Sequence, residues 1–167
     1  MMTLCYIGLG SNLANATDNS VEILRQAVQQ LRLFGDVRVS KLYHTPPMGP
    51  QDQPDYFNAV VALETTLAPL ALLDELQKIE QQAGRVRLRH WGERTLDLDL
   101  LLYGTQKIQH ERLIVPHYGI LERDFVLLPL LDLSPNLADL QTVLGQDIRQ
   151  NPAVIQSTLT PYADEWV

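Results

Sequence analysis

Cysteine is nearly absent from this 167-residue sequence. Cys5 stands alone and cannot close an internal disulfide, which excludes a disulfide-stapled scaffold and a cysteine-rich zinc module. Long hydrophobic runs are missing too: no uninterrupted apolar stretch exceeds seven residues, as in Phe125–Leu131. A membrane-spanning helix needs roughly 18. The opening Met1-Met2-Thr3-Leu4-Cys5-Tyr6 has no basic region leading into an apolar one, so no secretory signal is expected and the cytoplasm is the expected compartment. No G-x-x-x-x-G-K-[ST] run occurs, so any nucleotide must be held without a P-loop. Gly8-Leu9-Gly10-Ser11-Asn12-Leu13 has leucine where a dinucleotide-binding fingerprint needs its third glycine, and reads instead as a strand followed by a tight turn. Positive charge is also scarce. Thirteen Lys and Arg against twenty Asp and Glu leave a net −7, which argues against a nucleic-acid backbone as the main partner.

What is present has the composition of an ordinary globular protein, 46% hydrophobic and 20% charged, at a length that predicts one domain over residues 1–167. Thr3–Leu9 reads as a first strand and Gly10-Ser11-Asn12 as its turn. Asn19 and Glu22 have the spacing of a capping box, followed by a helical stripe of Val21, Leu24, Val28 and Leu31 that ends at Gly35-Asp36. Val37, Val39 and Leu42 suggest a second strand. Residues 44–56 hold four of the ten prolines and form a stiff loop. Phe57–Glu64 is a third strand. A second helix opens at Pro69 and closes at Gly84, with Leu72, Leu73, Leu76 and Ile79 inward. Thr95–Tyr103 is a fourth strand, and Leu121, Phe125 and Leu128 predict a short helix stopping near Pro129. Beyond Pro135 the pattern weakens to one helix near Gln141–Arg149 and an irregular tail. The order is βαββαβ, which predicts an α+β, ferredoxin-like sandwich with helices on one face of an antiparallel sheet.

Thr95-Leu96-Asp97-Leu98-Asp99-Leu100 carries the most chemical information. Strand alternation sends the leucines to one face and Asp97 and Asp99 to the other, about 6.6 Å apart. Two carboxylates so close suit a hard divalent cation such as Mg²⁺, completed by substrate phosphates. Taken alone, such a pair is more often a solvated acidic face. The neighbouring segment changes that balance: Arg85, Arg87, Arg89 and Arg94 give residues 84–94 a charge of +3 inside a chain whose remainder carries −10. Guanidinium forks pair with phosphate oxygens, and four exceed what two carboxylates require. Metal-holding carboxylates beside phosphate-holding arginines are the parts of a phosphoryl-transfer site. Trp91 in that polar loop can stack on a flat heterocycle or fold the loop onto the domain. Tyr56, Phe57 and Asn58 suit a heterocycle with amide-like edges. His117 can donate to phosphate or act as an acid–base group, although a lone histidine is more often structural. Neither Ser11 nor Cys5 makes a good nucleophile.

Five segments together resemble the 6-hydroxymethyl-7,8-dihydropterin pyrophosphokinase family: Tyr6–Leu13, Thr45-Pro46-Pro47 through Gln53-Pro54, Asn58-Ala59-Val60, Gly84–Tyr103 and Val115-Pro116-His117, spanning about residues 4–135. The resemblance implies transfer of the β,γ-diphosphate of ATP to the pterin hydroxymethyl group, leaving AMP, by a monomer with two Mg²⁺ ions. It implies that Asp97 and Asp99 hold both ions and that Arg85, Arg87 and Arg94 contact the phosphates, Arg85 and Arg94 on the transferring group. It further implies that Gln77, Glu80, Arg112, His117, Tyr118 and Arg123 surround the nucleotide. Thr45, Pro46, Pro47, Tyr56, Asn58, Trp91 and Phe125 would frame the pterin. Two positions depart from the usual motif, His90 where arginine commonly precedes the tryptophan and Glu93 where proline is usual before Arg94. A two-metal nuclease or phosphohydrolase could use the same aspartates, and a nucleotide-binding module without catalysis is a third class. The proline-rich loop leading to a second flat pocket disfavours the former, and the intact Asp97, Asp99 and Arg94 the latter.

Overall fold

The computed structural model describes residues 1–12, 17–45, 56–84, 96–133 and 137–167. Its first seven elements are β1 (Thr3–Ser11), α1 (Thr17–Leu31), β2 (Gly35–Val39), β3 (Leu42–Thr45), β4 (Tyr56–Thr65), α2 (Pro69–Gly84) and β5 (Asp97–Tyr103). There follow β6 (Ile108–His110), β7 (Leu113–Val115), α3 (Asp124–Leu133), α4 (Leu137–Leu144), α5 (Pro152–Ile155) and β8 (Pro161–Ala163). The main sheet runs β5-β1-β4-β3-β8, with β2 also on β4, and every pairing is antiparallel. Counting β2 and β3 as one interrupted strand, this is the expected βαββαβ order.

The two apolar stripes predicted for the helices are buried: Val21, Leu24, Val28 and Leu31 on α1, and Leu72, Leu76 and Ile79 on α2. They pack on Ile7, Leu9, Phe57, Val61, Leu63, Leu98 and Leu100, with Leu73 at the margin. Helices cover the other face as well, which departs from the one-sided sandwich expected. Val126, Leu127, Leu130 and Leu133 of α3, with Leu140 and Val143 of α4, close over Tyr6, Val60, Ala62, Leu101 and Leu102. The cause lies in β4, whose Ala59-Val60-Val61-Ala62-Leu63 is apolar on both faces and cannot be left in water on either.

Four local expectations are corrected. Helix α1 starts at Thr17, so Asn19 is within the helix rather than capping it. Strand β1 continues through Gly10 and Ser11, where a turn was expected, because both pair with β4. Helix α3 passes through Pro129 instead of stopping there. Proline costs a helix one hydrogen bond, and here Pro129 is buried with Leu127, Leu130 and Leu133, which offsets the loss. The region beyond Pro135 holds α4, α5 and an extra sheet strand, β8, where one helix and an irregular tail were expected.

Two bulges set which side chains face which way. On β5, Tyr6 pairs with Leu102 and Ile7 with Leu100, so Leu101 is the extra residue. Leu101 and Leu102 can therefore both face α3 while Tyr103 turns to the opposite core. Between β2 and β3, Val39 is opposite Val61 but Tyr43 is opposite Asn58, again one residue too many. Buried Ser40 sits at this second bulge, where its hydroxyl accepts from the Val60 N–H at 2.9 Å.

Gly35 starts β2 at φ +154°, and a Cβ there would lie 1.8 Å from the Glu64 carbonyl oxygen. Gly35→Ala must displace backbone, and is expected to cost on the order of 3 kcal/mol. A urea unfolding midpoint equal to that of the parent protein would contradict this.

Candidate active site

The antiparallel register lines residues up across the sheet. Asp97 of β5 lies opposite Gly10 of β1, which lies opposite Asn58 of β4, which lies opposite Tyr43 of β3. One step along, Asp99 is opposite Gly8 and Gly8 opposite Val60. Directly opposed residues share a face, so Asp97, Asp99 and Asn58 all stand on the α3 side. The two residues between the aspartates and Asn58 and Val60 are glycines. Gly10 leaves a narrow floor with no side chain of its own between Asp97 and Asn58, across about 10 Å or two strand spacings, whereas the Leu101 side chain covers Gly8, 3.5 Å from where a Cβ would sit. Gly10 matters sterically as well, since a Cβ there would sit 3.1 Å from Asn58 Oδ1.

On one side of that floor stands the Asn58 pair. Asn58 is buried and its Nδ2 donates to Thr45 Oγ1 at 3.2 Å. Thr45 reaches this face only because of the bulge at Ser40; without the extra residue, His44 would point here instead. Tyr56 is opposite Thr45, and partly buried Phe125 rises from the first turn of α3.

On the other side stands β5, an edge strand with its outer backbone groups to satisfy. Glu80 of α2 reaches this edge and its Oε2 accepts from the Leu98 N–H at 2.9 Å, between the two aspartates. His117 donates its backbone N–H to the Leu101 carbonyl at 3.0 Å. Farther out, Arg112 donates to Asp74 Oδ1 at 2.6 Å and to Gln77 Oε1 at 3.2 Å. These contacts are exposed, so they orient the guanidinium more than they stabilise the fold. The β6–β7 hairpin that carries Arg112 next to its tip was not anticipated, because three-residue strands leave too short a pattern to read.

His117 is the best-defined polar group of this wall. It follows a cis Val115–Pro116 bond, its ring stacks on exposed Tyr118 at 4.6 Å, and its Nδ1 accepts from the Gly119 N–H at 3.1 Å. Burial lowers its pKa below 6.5; Asp99 opposes that shift and Arg123 adds to it. A neutral imidazole whose Nδ1 is an acceptor carries its proton on Nε2, leaving that nitrogen as a donor for an anion. Arg123 lies over the Phe125 ring at 5.8 Å, against Gly119, where a Cβ would come within 2.9 Å of the guanidinium. Glycine at 119 thus makes room for Arg123, a role no motif announced.

Of the residues singled out from sequence, Asp97, Asp99, Gln77, Glu80, Arg112, His117, Tyr118 and Arg123 gather at or near the β5 edge. Thr45, Tyr56, Asn58 and Phe125 lie across the floor. Pro46, Pro47, Arg85, Arg87, Arg89, Trp91 and Arg94 fall outside the described residues. The floor itself went unread, because Gly10 resembles a turn residue until its strand partners are known. Cys5 is buried in β1, its thiol pushed up to about 12 by desolvation, which bears out its exclusion as a nucleophile.

A family model for 7,8-dihydro-6-hydroxymethylpterin-pyrophosphokinase matches residues 6–135. The chain belongs to that family. Relatives named 2-amino-4-hydroxy-6-hydroxymethyldihydropteridine pyrophosphokinase include one from Haemophilus influenzae, 54% identical over 81% of this chain and 84% of the relative. One from Pseudomonas aeruginosa is 50% identical over 82% and 84%. Among solved structures, a Plasmodium falciparum HPPK-DHPS with pterin and p-hydroxybenzoate superposes with a TM-score of 0.68 at 17% identity, over 89% of this chain. At that identity the likeness speaks for the fold. This chain spans 42% of that longer one. No helix among the described residues is long and apolar enough to cross a membrane.

The balance of charges at His117 is directly measurable. In an NMR titration of the ligand-free protein, His117 should titrate below 6.5. Arg123→Ala should raise its pKa, because a repelling cation is removed, and Asp99→Asn should lower it. A lowered native pKa means that stability held above pH 6.5 is progressively lost as the pH falls towards the native value. A lower pKa in Arg123→Ala, or a higher one in Asp99→Asn, would overturn this account of the wall.

Proposed function

We infer that this chain transfers the β,γ-diphosphate of ATP to 6-hydroxymethyl-7,8-dihydropterin, giving the pterin diphosphate and AMP for folate biosynthesis. Family membership carries the reaction class. The observation that carries the site is the pair Asp97 and Asp99 on one strand face, with only the side-chain-free Gly10 between Asp97 and the Asn58–Thr45 pair. Phosphates fit beside the carboxylates and a flat heterocycle beside the amide, with the reacting oxygen between them.

The pterin hydroxymethyl oxygen attacks the β-phosphorus, its proton is lost, and the bond from the β-phosphorus to the oxygen of AMP breaks. Asn58 can donate to and accept from the heterocycle's amide-like edge, while Tyr56, Phe125 and Trp91 supply flat apolar surface. His117 Nε2, Arg112 and Arg123 donate to the nucleotide's phosphates, with Tyr118 beside them. Glu80 acts chiefly by holding the Leu98 amide, and so the spacing of the aspartates. Gln77 orients Arg112. Arg85, Arg87 and Arg94 supply the remaining phosphate contacts, Arg85 and Arg94 to the transferring group.

Asp97 and Asp99 fit a Mg²⁺ pair. Their donors are hard oxygens on a partly exposed strand face, with glycines opposite them. Mg²⁺ held there would take its other ligands from phosphate and water. Two such ions would neutralise triphosphate charge and polarise the phosphorus–oxygen bonds. We also read the chain as a single domain acting as a monomer in the cytoplasm, on small molecules, without nucleic-acid or membrane partners. The net −7 and the presence of β8 in the main sheet support that reading.

With ATP, Mg²⁺ and the hydroxymethyl pterin, AMP and pterin diphosphate should form in equal amounts. ADP with a pterin monophosphate, or AMP made equally well without pterin, would overturn the assignment in favour of a kinase or a hydrolase. Asp97→Ala and Asp99→Ala should each abolish turnover and leave the protein folded; activity of both at saturating Mg²⁺ would remove the metal site. Arg94→Ala should lower kcat by roughly a hundredfold with ATP binding little changed. A hundredfold loss of ATP affinity with normal turnover at saturation would make Arg94 a binding clamp instead.

A further inference from the structure

Residues 157–166 carry no motif and lie beyond the residues matched by the family model. They nevertheless touch both walls of the candidate pterin pocket. Ser157 Oγ donates to Asp124 Oδ2 at 2.7 Å, and Asp124 stands between Arg123 and Phe125 at the start of α3. The Leu159 N–H donates to Ser157 Oγ at 3.1 Å, turning the chain at that anchor. Four residues after Ser157, β8 pairs with the free edge of β3, Pro161 opposite Tyr43 and Ala163 opposite Leu42.

Tyr162 then backs the other wall. Its ring meets Phe57 edge-on at 5.1 Å and lies 5.8 Å from His44, and those two rings are 5.4 Å apart. Phe57 is the residue between Tyr56 and Asn58, and His44 precedes Thr45. The three rings pack on the opposite face of the sheet from the pocket, directly behind the residues that line it. Finally, buried Trp166 donates from Nε1 to the Ser40 carbonyl at 2.9 Å, at the bulge that turns Thr45 towards the site. The β3–β4 pairing consists of only three residue pairs. The bulge separates those three pairs from the β2–β4 ladder, so the orientation of this end depends on what braces it.

We propose that residues 157–166 form a strap that holds the two walls of the pterin pocket in fixed relation, with Tyr162 and Ser157 as positioning residues for the pterin substrate. The proposal rests on the reading of Thr45, Asn58 and Phe125 as pterin contacts. Neither residue touches the pocket face, and Tyr162 is 53% exposed, so its removal takes little from the core.

Steady-state kinetics with ATP and pterin varied separately, on Tyr162→Ala, Ser157→Ala, Tyr162→Phe and Asn58→Ala, test it. Tyr162→Ala should raise KM for the pterin by about tenfold, a misplacement effect, with kcat and KM for ATP unchanged within about twofold. Ser157→Ala should shift the same constant less, and Tyr162→Phe, which keeps the ring, should restore the parent value. A merely structural role would reduce the active fraction, and hence kcat, without moving KM. Asn58→Ala with a raised pterin KM but Tyr162→Ala and Ser157→Ala at parent values would overturn the strap alone. An unchanged pterin KM in all the variants would overturn the strap and the pocket reading together.

Discussion

The register of β1 between β4 and β5 is the constraint on which the rest depends. It brings Asp97, Gly10 and Asn58 into one row and Asp99, Gly8 and Val60 into the next. Side chains alternate with period two, so a slip of one residue on either partner would turn the aspartates or Asn58 to the opposite face. The register is held by burial. Leu9, Ile7 and Cys5 on one side of β1 and Tyr6 on the other have places only in the cores they occupy. Apolar packing thus specifies a polar geometry that it does not touch.

Covering both faces of β4 has a functional consequence. Helices α1 and α2 take one face, while α3 and α4 take only part of the other. The strip of the second face beyond α3 carries Gly10, Asp97 and Asn58. Arg123, just before α3, and Phe125, in its first turn, stand at the margin of that strip, and Tyr43 donates to Asp132 Oδ2 at 2.8 Å near the other end of the same helix. Desolvation by burial, helped by this hydrogen bond, raises the Tyr43 pKa and keeps the phenol neutral. One helix therefore both seals the core and bounds the site.

Both bulges act as aiming devices. The one on β5 lets consecutive Leu101 and Leu102 fill a single core, and the one at Ser40 reverses the facing of β3 so that Thr45 and not His44 meets Asn58. A hint of the second was present in the sequence: Val37, Val39 and Leu42 do not share a period of two, and the odd spacing marks the inserted residue. Ser40 itself reads as an ordinary polar residue. Its role at the Val60 amide depends on a strand 20 positions away.

Sequence by itself determined the local elements and the chemistry. Periodicity set the inward faces of α1 and α2, alternation set the aspartates apart from their leucines, and the density of arginines beside them pointed to phosphate; all of these are signals between residues a few positions apart. The family motifs added the substrates, since several segments agreeing in order are far more specific than any one of them. Tertiary structure alone decided what depends on partners distant in the chain. It made a floor of Gly10, which looks like a turn residue until Asp97 and Asn58 stand on either side. It carried α3 through Pro129, because burial of its leucines outweighs one lost hydrogen bond. It set Glu80 on the Leu98 amide, gave Gly119 its place beneath Arg123, and added the strand Pro161–Ala163 to the free edge of β3. Edges, floors and braces are properties of pairs of segments, and no short window of sequence contains both members of the pair.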